Sequence, residues 1–434
     1  MRVSIFASVL AAAAVCGGLL LAVWLVLRPA GAALRSAEFS SATLSPDADG
    51  LDDVLRIRYE LARPALVSIF LLDAAGTRYN FRSASQRSSG SHDVLFSGIV
   101  DGFALAGETV SAEILASVLP TGDYTWVVAA AAPGGDSERR GTLSILSAPA
   151  PLPDVRGFSV SPLVFTPNRD GISDRVWINA FLAAPAKLDV SLIDHQGAAR
   201  PIPEREGTIA PGAAGLHTFE YEGGVDLGVN PPPDGTYSVV AVAQDALGQR
   251  VRAQGQLAIE LGGVPRAEIV NAAVSYEPAT IVQGEALNFS LTVENYGTAP
   301  LRTTGPDPGY AYKQNENANT LQPSVFAYKQ NENANTLGWF EESGAWRVGL
   351  DCDTCIRDYP WRWALGTPEE LTKIGDYYYL MPGQRVTISS SVLITDVPAR
   401  NPLYFWAGLI HEDVEISNVN NRVDPFFVTI VPRN

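Results

Sequence analysis

The sequence predicts an all-β chain: three tandem immunoglobulin-like β-sandwich domains after one N-terminal transmembrane helix. Three observations carry the prediction. A long pattern of turns and strands occurs twice, with Pro46 in one copy answering to Pro167 in the other. Apolar and polar residues alternate in short runs, and no convincing amphipathic helix interrupts them. The 38 Gly and 30 Pro are spread along the chain, which suits short strands joined by turns. At roughly 150 residues per domain, 434 residues allow three.

Residues 1–35 read as a signal anchor. Ile5 to Leu27 is an uncharged run of 23 residues. As a helix it would measure about 35 Å, against a hydrocarbon core of ~30 Å. A cleavable signal usually has an apolar stretch of only ~7–15 residues. Ala30-Gly31-Ala32 nevertheless offers a small-x-small cleavage site, so a cleaved signal is the alternative. Cys16 follows the bulky Val15, which disfavours a lipid-modified cysteine. It reads as an apolar residue of the membrane helix. Arg2 competes with Arg28 and Arg35 for orientation under the positive-inside rule. The expectation is a single-pass cell-membrane protein with residues 30–434 outside the cytoplasm.

The first copy spans 36–148, and the second, with its linker, 149–262. Leu44-Ser-Pro-Asp-Ala-Asp-Gly-Leu-Asp-Asp53 is echoed by Phe165-Thr-Pro-Asn-Arg-Asp-Gly-Ile-Ser-Asp174. The register then holds from Leu55, Ile57 and Leu61 to Val176, Ile178 and Leu182. Gly90, His92, Phe96 and Gly98 answer to Gly215, His217, Tyr221 and Gly223. Gly122 and Tyr124 answer to Gly235 and Tyr237, after a drift in offset that marks loops of different length. Leu55-Arg-Ile-Arg-Tyr-Glu-Leu61 has period two, so one face is buried and one wet. About seven such strands in ~110 residues make a β-sandwich of immunoglobulin type, without the Cys…Trp…Cys pattern of antibody domains. The order of these pieces resembles the Ig-like domain of flagellar hook-capping proteins, a module also found in other bacterial surface proteins. The resemblance implies a scaffold with no catalytic residues to carry over. Between the copies, Ala148-Pro-Ala-Pro-Leu-Pro153 is a Pro-rich linker, expected to space the two domains rather than pack them.

The third domain spans 263–434. Ala267 to Ser275, Gly284 to Gly297, Tyr379 to Ser389 and Phe426 to Val431 read as strands with their turns. The Val-Glu-Asn-Tyr-Gly, Met-Pro-Gly-Gln and Asn-Asn pieces are similar to the cell-adhesion-related bacterial (CARDB) Ig-like module. The middle, about 303–376, departs from that pattern. It holds an identical eleven-residue unit at 311–321 and 327–337. The duplicated stretch, 311–337, is polar and Asn-rich, and reads as a tolerated surface insertion that builds no core.

Net charge is −16, which argues against nucleic acid as a partner, because phosphate binding needs a clustered cationic surface. Four His and three Cys leave little material for a metalloenzyme. There is no His-Glu-x-x-His, Gly-x-Ser-x-Gly or Walker loop, and His411-Glu-Asp-Val-Glu415 lacks a second His. No Ser/His/Asp set can be defended, so no enzyme is expected. Asp47, Asp49, Asp52 and Asp53, and in the second copy Asn168, Asp170 and Asp174, group hard oxygens around a Gly, as calcium requires. Position 12 of each loop is Arg58 or Asn179, so the bidentate Glu of an EF-hand is missing. An Asx-type turn explains the same residues unaided. No cofactor is therefore required, and calcium is a candidate.

Cys352-Asp-Thr-Cys355 lacks the βαβ setting of a thioredoxin and the further ligands of a zinc site. A local disulfide is the expectation outside the cytoplasm. Five of the eight Trp lie in 339–406. Trp406 sits in an apolar run and reads as core. Trp361 and Trp363 flank Arg362 with period two, and Trp339 and Trp346 lie near the insertion. Packing accounts for these rings. The functional alternative is an exposed platform made by Trp339, Trp346, Trp361, Arg362 and Trp363. The expected function is structural or adhesive: a membrane-anchored chain projecting a terminal binding module toward an unknown protein or glycan ligand. The alternatives are a carbohydrate-binding surface protein and a hydrolase with its site in the third domain.

Overall fold

Alternation becomes burial in the computed structural model, which describes residues 31–104, 110–148, 151–207, 209–318 and 343–433. In the strand Leu55–Leu61, Leu55, Ile57, Tyr59 and Leu61 are buried while Arg56 and Arg58 face water. The same holds for Ala65–Leu72 and, in the second copy, Val176–Leu182. All regular elements are strands apart from two short 3-10 turns, so the described chain is all-β. Among the described residues no helix is long and apolar enough to cross a membrane. The Ile5–Leu27 run and Trp339 lie outside the described residues, as does the repeat unit 327–337.

The first unit faces a three-stranded sheet against a five-stranded one, with antiparallel neighbours throughout except one short parallel pairing. Leu55, Ile57, Val67, Ile69, Leu71, Trp126 and Val128 fill the space between. Full burial of one such aliphatic side chain stabilises by about 1.5–3 kcal/mol. Gly141 faces Trp126 across the hairpin, and a Cβ there would stand 2.4 Å from the indole. Glycine is therefore required where Trp126 lies flat and stacks on Phe39 at 4.5 Å. The second unit repeats the plan around Val176, Ile178, Leu192, Val239 and Leu257. In both units a tyrosine hydroxyl donates back four residues: Tyr124 to the Pro120 carbonyl (2.9 Å) and Tyr237 to that of Pro233 (2.7 Å).

The two copies do not stand apart. Between Gly98 and Gly122 the first copy runs 24 residues, where Gly223 to Gly235 takes 12. The extra length makes two strands, Ile99–Asp101 and Glu113–Val118. They extend the second unit's sheet: Arg250, Val251 and Arg252 pair antiparallel with Ala116, Ile114 and Glu113. Val100 belongs to the first core, and Ile114 packs on the second. Gln249, itself buried, accepts from the Val118 amide at 3.2 Å and donates to Asp245 at 2.9 Å. The expectation of spaced domains is thus corrected. An open sheet edge presents unpaired amides and carbonyls, and the hairpin covers it.

The third unit packs sheets of five and nine strands around Leu287, Phe289, Val348, Leu350, Trp363 and Ile388. The polar pieces of its sequence pattern are structural. Asn295 is fully buried and donates to the carbonyls of Ala299 (2.9 Å) and Leu380 (2.8 Å). Asn420 accepts from the Ile269 amide at 2.8 Å. The expectation that the duplicated stretch builds no core is corrected at its start. Ala311–Lys313 is a strand on Arg385–Leu393, and Tyr312 is wholly buried, its hydroxyl donating to the Arg362 carbonyl at 2.8 Å. One aromatic in a polar run suffices to anchor a strand.

Candidate functional site

The two acidic turns share a sequence and differ in surroundings. In the first, carboxylate oxygens of Asp47, Asp49 and Asp53 lie within 4.8 Å of one another. They are also engaged by the turn itself. Asp53 accepts from the amides of Asp47 (3.1 Å), Ala48 (2.7 Å) and Gly50 (2.7 Å). Asp47 accepts from the Asp49 amide and Asp49 from that of Leu51. That is the Asx-turn geometry. Asp52 takes a positive φ of 54° on the exposed side of the turn.

The second turn is a plug. Asn168 and Asp170 are buried, and Asp174 accepts from Gly171 at 2.6 Å as Asp53 does from Gly50. Asp170 accepts from the Tyr379 hydroxyl of the third unit at 3.1 Å. Gly171 and Gly344 meet back to back. A Cβ on either would stand 2.1 Å from the other segment's backbone, and both have positive φ. Arg302, buried, donates to the Ser343 carbonyl beside them. His411 stacks on Trp346 at 4.4 Å and its Nε2–H donates to the Arg169 carbonyl at 2.8 Å. Burial pushes the Asp170 carboxyl up to about 6; Asp174 adds to this, while Arg302 and the hydrogen bonds oppose it. Burial also raises Asp174, and pushes His411 down to about 4. The candidate calcium set Asn168, Asp170 and Asp174 is therefore not an open loop. Its carboxylates face a tyrosine, an arginine and their own backbone.

The aromatic platform is corrected as well. Trp346, Trp361 and Trp363 are buried, because the Trp361–Ala364 strand pairs with Trp346–Cys352 and turns its rings inward. The Trp363 indole donates to the Tyr310 carbonyl at 2.9 Å and packs on Phe289 and Tyr312, each 4.9 Å away. Trp406 is also buried. Period two sends Arg362 to the opposite side. There it binds Glu412 at 2.7 Å, while the buried Arg347 holds the same carboxylate at 3.0 Å. Two guanidiniums on one sequestered carboxylate form a charge-assisted brace with one positive charge in excess. Spacing alone hid this, since Glu412 and its arginines lie 50 and 65 residues apart.

Cys352 and Cys355 are joined by a disulfide that closes the loop after the Trp346–Cys352 strand. The loop borders a cleft of about 330 Å³, lined by Gln314, Asn317, Arg357, Trp361, Leu403 and Phe405. An apolar floor with amides, the Glu316 carboxylate and the Arg357 guanidinium around it can hold a small amphipathic group.

No family model matches the chain. No curated protein matches it. Several solved structures do. The native conformation of E. coli alpha-2-macroglobulin matches at 9% identity and a TM-score of 0.20, covering 93% of this chain and 23% of that one. The chain thus spans less than a quarter of that protein's length. An ectodomain fragment of ICAM-5 matches at 12% identity and a TM-score of 0.21, covering 91% and 76%. A bacterial ice-binding adhesin, described as retained on the host cell surface, matches at 11% and 0.21, covering 92% and 98%. Similarity at this level carries no argument.

Proposed function

We propose that the chain is a membrane-anchored, extracytoplasmic scaffold of structural or adhesive type that presents its third unit away from the membrane. The observation that carries this reading is the pair of built joints. A hairpin from the first copy joins the second unit's sheet, and the Asn168–Asp174 plug seats the second unit in the third. Such joints transmit position and force along a row of sandwiches, whereas flexible linkers do not. The Ile5–Leu27 run supports the anchor, and the Cys352–Cys355 disulfide suits an oxidising compartment. The resemblances to hook-capping-type and CARDB Ig-like modules agree with a scaffold. In this reading the protein is no enzyme, needs no cofactor and binds no nucleic acid. Its ligand is a protein or a glycan, and the cleft beside the disulfide is where a small sugar would be sought first. The test is protease shaving of intact cells followed by a carbonate wash of membranes. The proposal expects cleavage of residues 30–434 from outside, with the N-terminal stub kept in the membrane. Full protection from external protease would overturn it.

A further inference from the structure

The Cys352–Cys355 disulfide is itself one wall of the cleft beside it. Its two sulfurs are unequal in access. Cys352 ends the Trp346–Cys352 strand and is 7% exposed, whereas Cys355 stands in the loop and is partly exposed. A nucleophile therefore reaches the Cys355 Sγ first, and Cys352 becomes the leaving group. The Thr354 hydroxyl lies 3.7 Å from the Cys352 Sγ. A disulfide sulfur carries no proton, so the hydroxyl is the donor, and it is placed to stabilise a thiolate there. The carboxylates that would repel a thiolate are engaged. Asp353 pairs with Arg400 at 3.0 Å, Asp351 accepts from the Cys352 amide at 2.8 Å, and Glu316 accepts from the Lys313 amide at 2.8 Å.

The fold leans little on this bond. Its ring joins residues three apart, and so short a ring removes little entropy from the unfolded chain. Trp346–Cys352 is held instead by pairing along its whole length with Leu403–His411. A disulfide that adds little to the fold is reduced at little cost to it, and accessible disulfides of that kind are the labile ones. The surroundings of Cys355 suit a peptide. Leu403 and Phe405 line the cleft, Ile356 beside the sulfur is fully exposed, and the exposed Arg357 follows with its positive charge. An apolar side chain next to an attacking cysteine finds contacts there, and the guanidinium attracts the thiolate.

We propose that Cys352–Cys355 is a thiol–disulfide exchange site that oxidises a peptide carrying two cysteines with an apolar residue beside them. A thiolate of the peptide attacks the Cys355 Sγ. The new bond joins the peptide to Cys355, and the electron pair of the old bond leaves on Cys352, which takes a proton from solvent. The chain's third cysteine, Cys16, belongs to the apolar N-terminal run, so the thiol that completes exchange is the peptide's own. That second thiolate attacks its neighbour's sulfur in the mixed disulfide. The peptide disulfide forms, and Cys355 leaves as a thiolate and is protonated. The peptide has lost two electrons and two protons, and the chain has gained two thiols. This activity goes beyond the scaffold role and rests only on the disulfide and its cleft.

The test uses the oxidised full chain in mild detergent and two synthetic peptides with a single cysteine, one with leucine and one with serine beside it. A single thiol stops the reaction at the mixed disulfide, which acid quenching and alkylation preserve for mass spectrometry. The proposal expects the leucine peptide on Cys355, the alkyl label on Cys352 and an unchanged tryptophan spectrum. It expects the leucine peptide to react at least about fivefold faster than the serine peptide. Ile356→Ser should remove that preference and leave the melting temperature within a few degrees. A peptide with two cysteines should be released oxidised, leaving both Cys352 and Cys355 open to alkylation. A peptide found on Cys352, equal rates for the two peptides, or reaction only after denaturant is added would overturn the proposal.

Discussion

His411 and Asp170 sit on the same joint and titrate in opposite senses. Burial lowers His411 from 6.5 to about 4. At ~1.4 kcal/mol per pH unit, that displacement corresponds to about 3 kcal/mol. This stability is present above pH 6.5 and is lost as pH falls through 4. Asp170 is raised from 3.8 to about 6. Its contribution is also about 3 kcal/mol, but it is fully present below pH 3.8 and is lost as pH rises through 6. Between pH 7.5 and 4.5 the two nearly cancel, so the wild-type joint is insensitive to mild acid from this source. Single variants remove one side of the balance. His411→Gln should gain about 2 kcal/mol relative to the wild type on going from pH 7.5 to 4.5, and Asp170→Asn should lose about 2 kcal/mol. The double variant should follow the wild type. Urea unfolding monitored by tryptophan fluorescence reads the differences, with Trp346 stacked on His411 as a reporter. Parallel pH profiles for the wild type and both single variants would refute the reasoning.

Further outcomes follow from the other sites. Chelation should leave the melting temperature unchanged, while Asp53→Ala should cost about 1–3 kcal/mol by freeing three turn amides; a melt lowered by chelator and restored by calcium would instead make the first turn a metal site. Trp363→Ala should cost about 3–5 kcal/mol and unfold the third unit, as judged by near-UV dichroism; loss of ligand binding with an unchanged melt would return the ring to a surface role. Deleting 311–326 should shift the melt by no more than a few degrees, because Ala327-Tyr328-Lys329 can replace Ala311-Tyr312-Lys313 at the sheet edge; collapse of the third unit would show that the two repeat units are not interchangeable. Cys352 and Cys355 should resist alkylation until reduced, and their short ring should contribute only ~1–2 kcal/mol; free thiols in protein from its native compartment would contradict this.

Much of the fold was legible because burial follows period two. Leu55–Leu61 and Val176–Leu182 could be read residue by residue. The joint between them was not, although its signal was present. The drift in repeat offset after Gly98 is the extra length of the hairpin. Length alone does not say that a loop will pair with a neighbouring sheet. The acidic turns illustrate the same limit. Asp47 and Asn168 open near-identical loops, yet one faces water and the other fills a socket made by Arg302, Gly344, Tyr379 and His411. Those partners come from far along the chain and share no pattern with the turn. The Trp361 and Trp363 spacing fixed a common face, and only the pairing with Trp346–Cys352 shows that this face is inward. Glu412 was invisible as a brace, because buried ion pairs leave no periodic trace.

The central claim is that three sandwiches are held in one fixed row by the hairpin and the plug. Negative-stain electron microscopy of the full chain in detergent tests it most directly, by the spread of angles between adjacent units. The account predicts one narrow arrangement for the wild type, broadening at the second joint when Gly344→Val forces Gly171 out of its seat. A wild-type population with a broad continuum of inter-unit angles at both joints would contradict it.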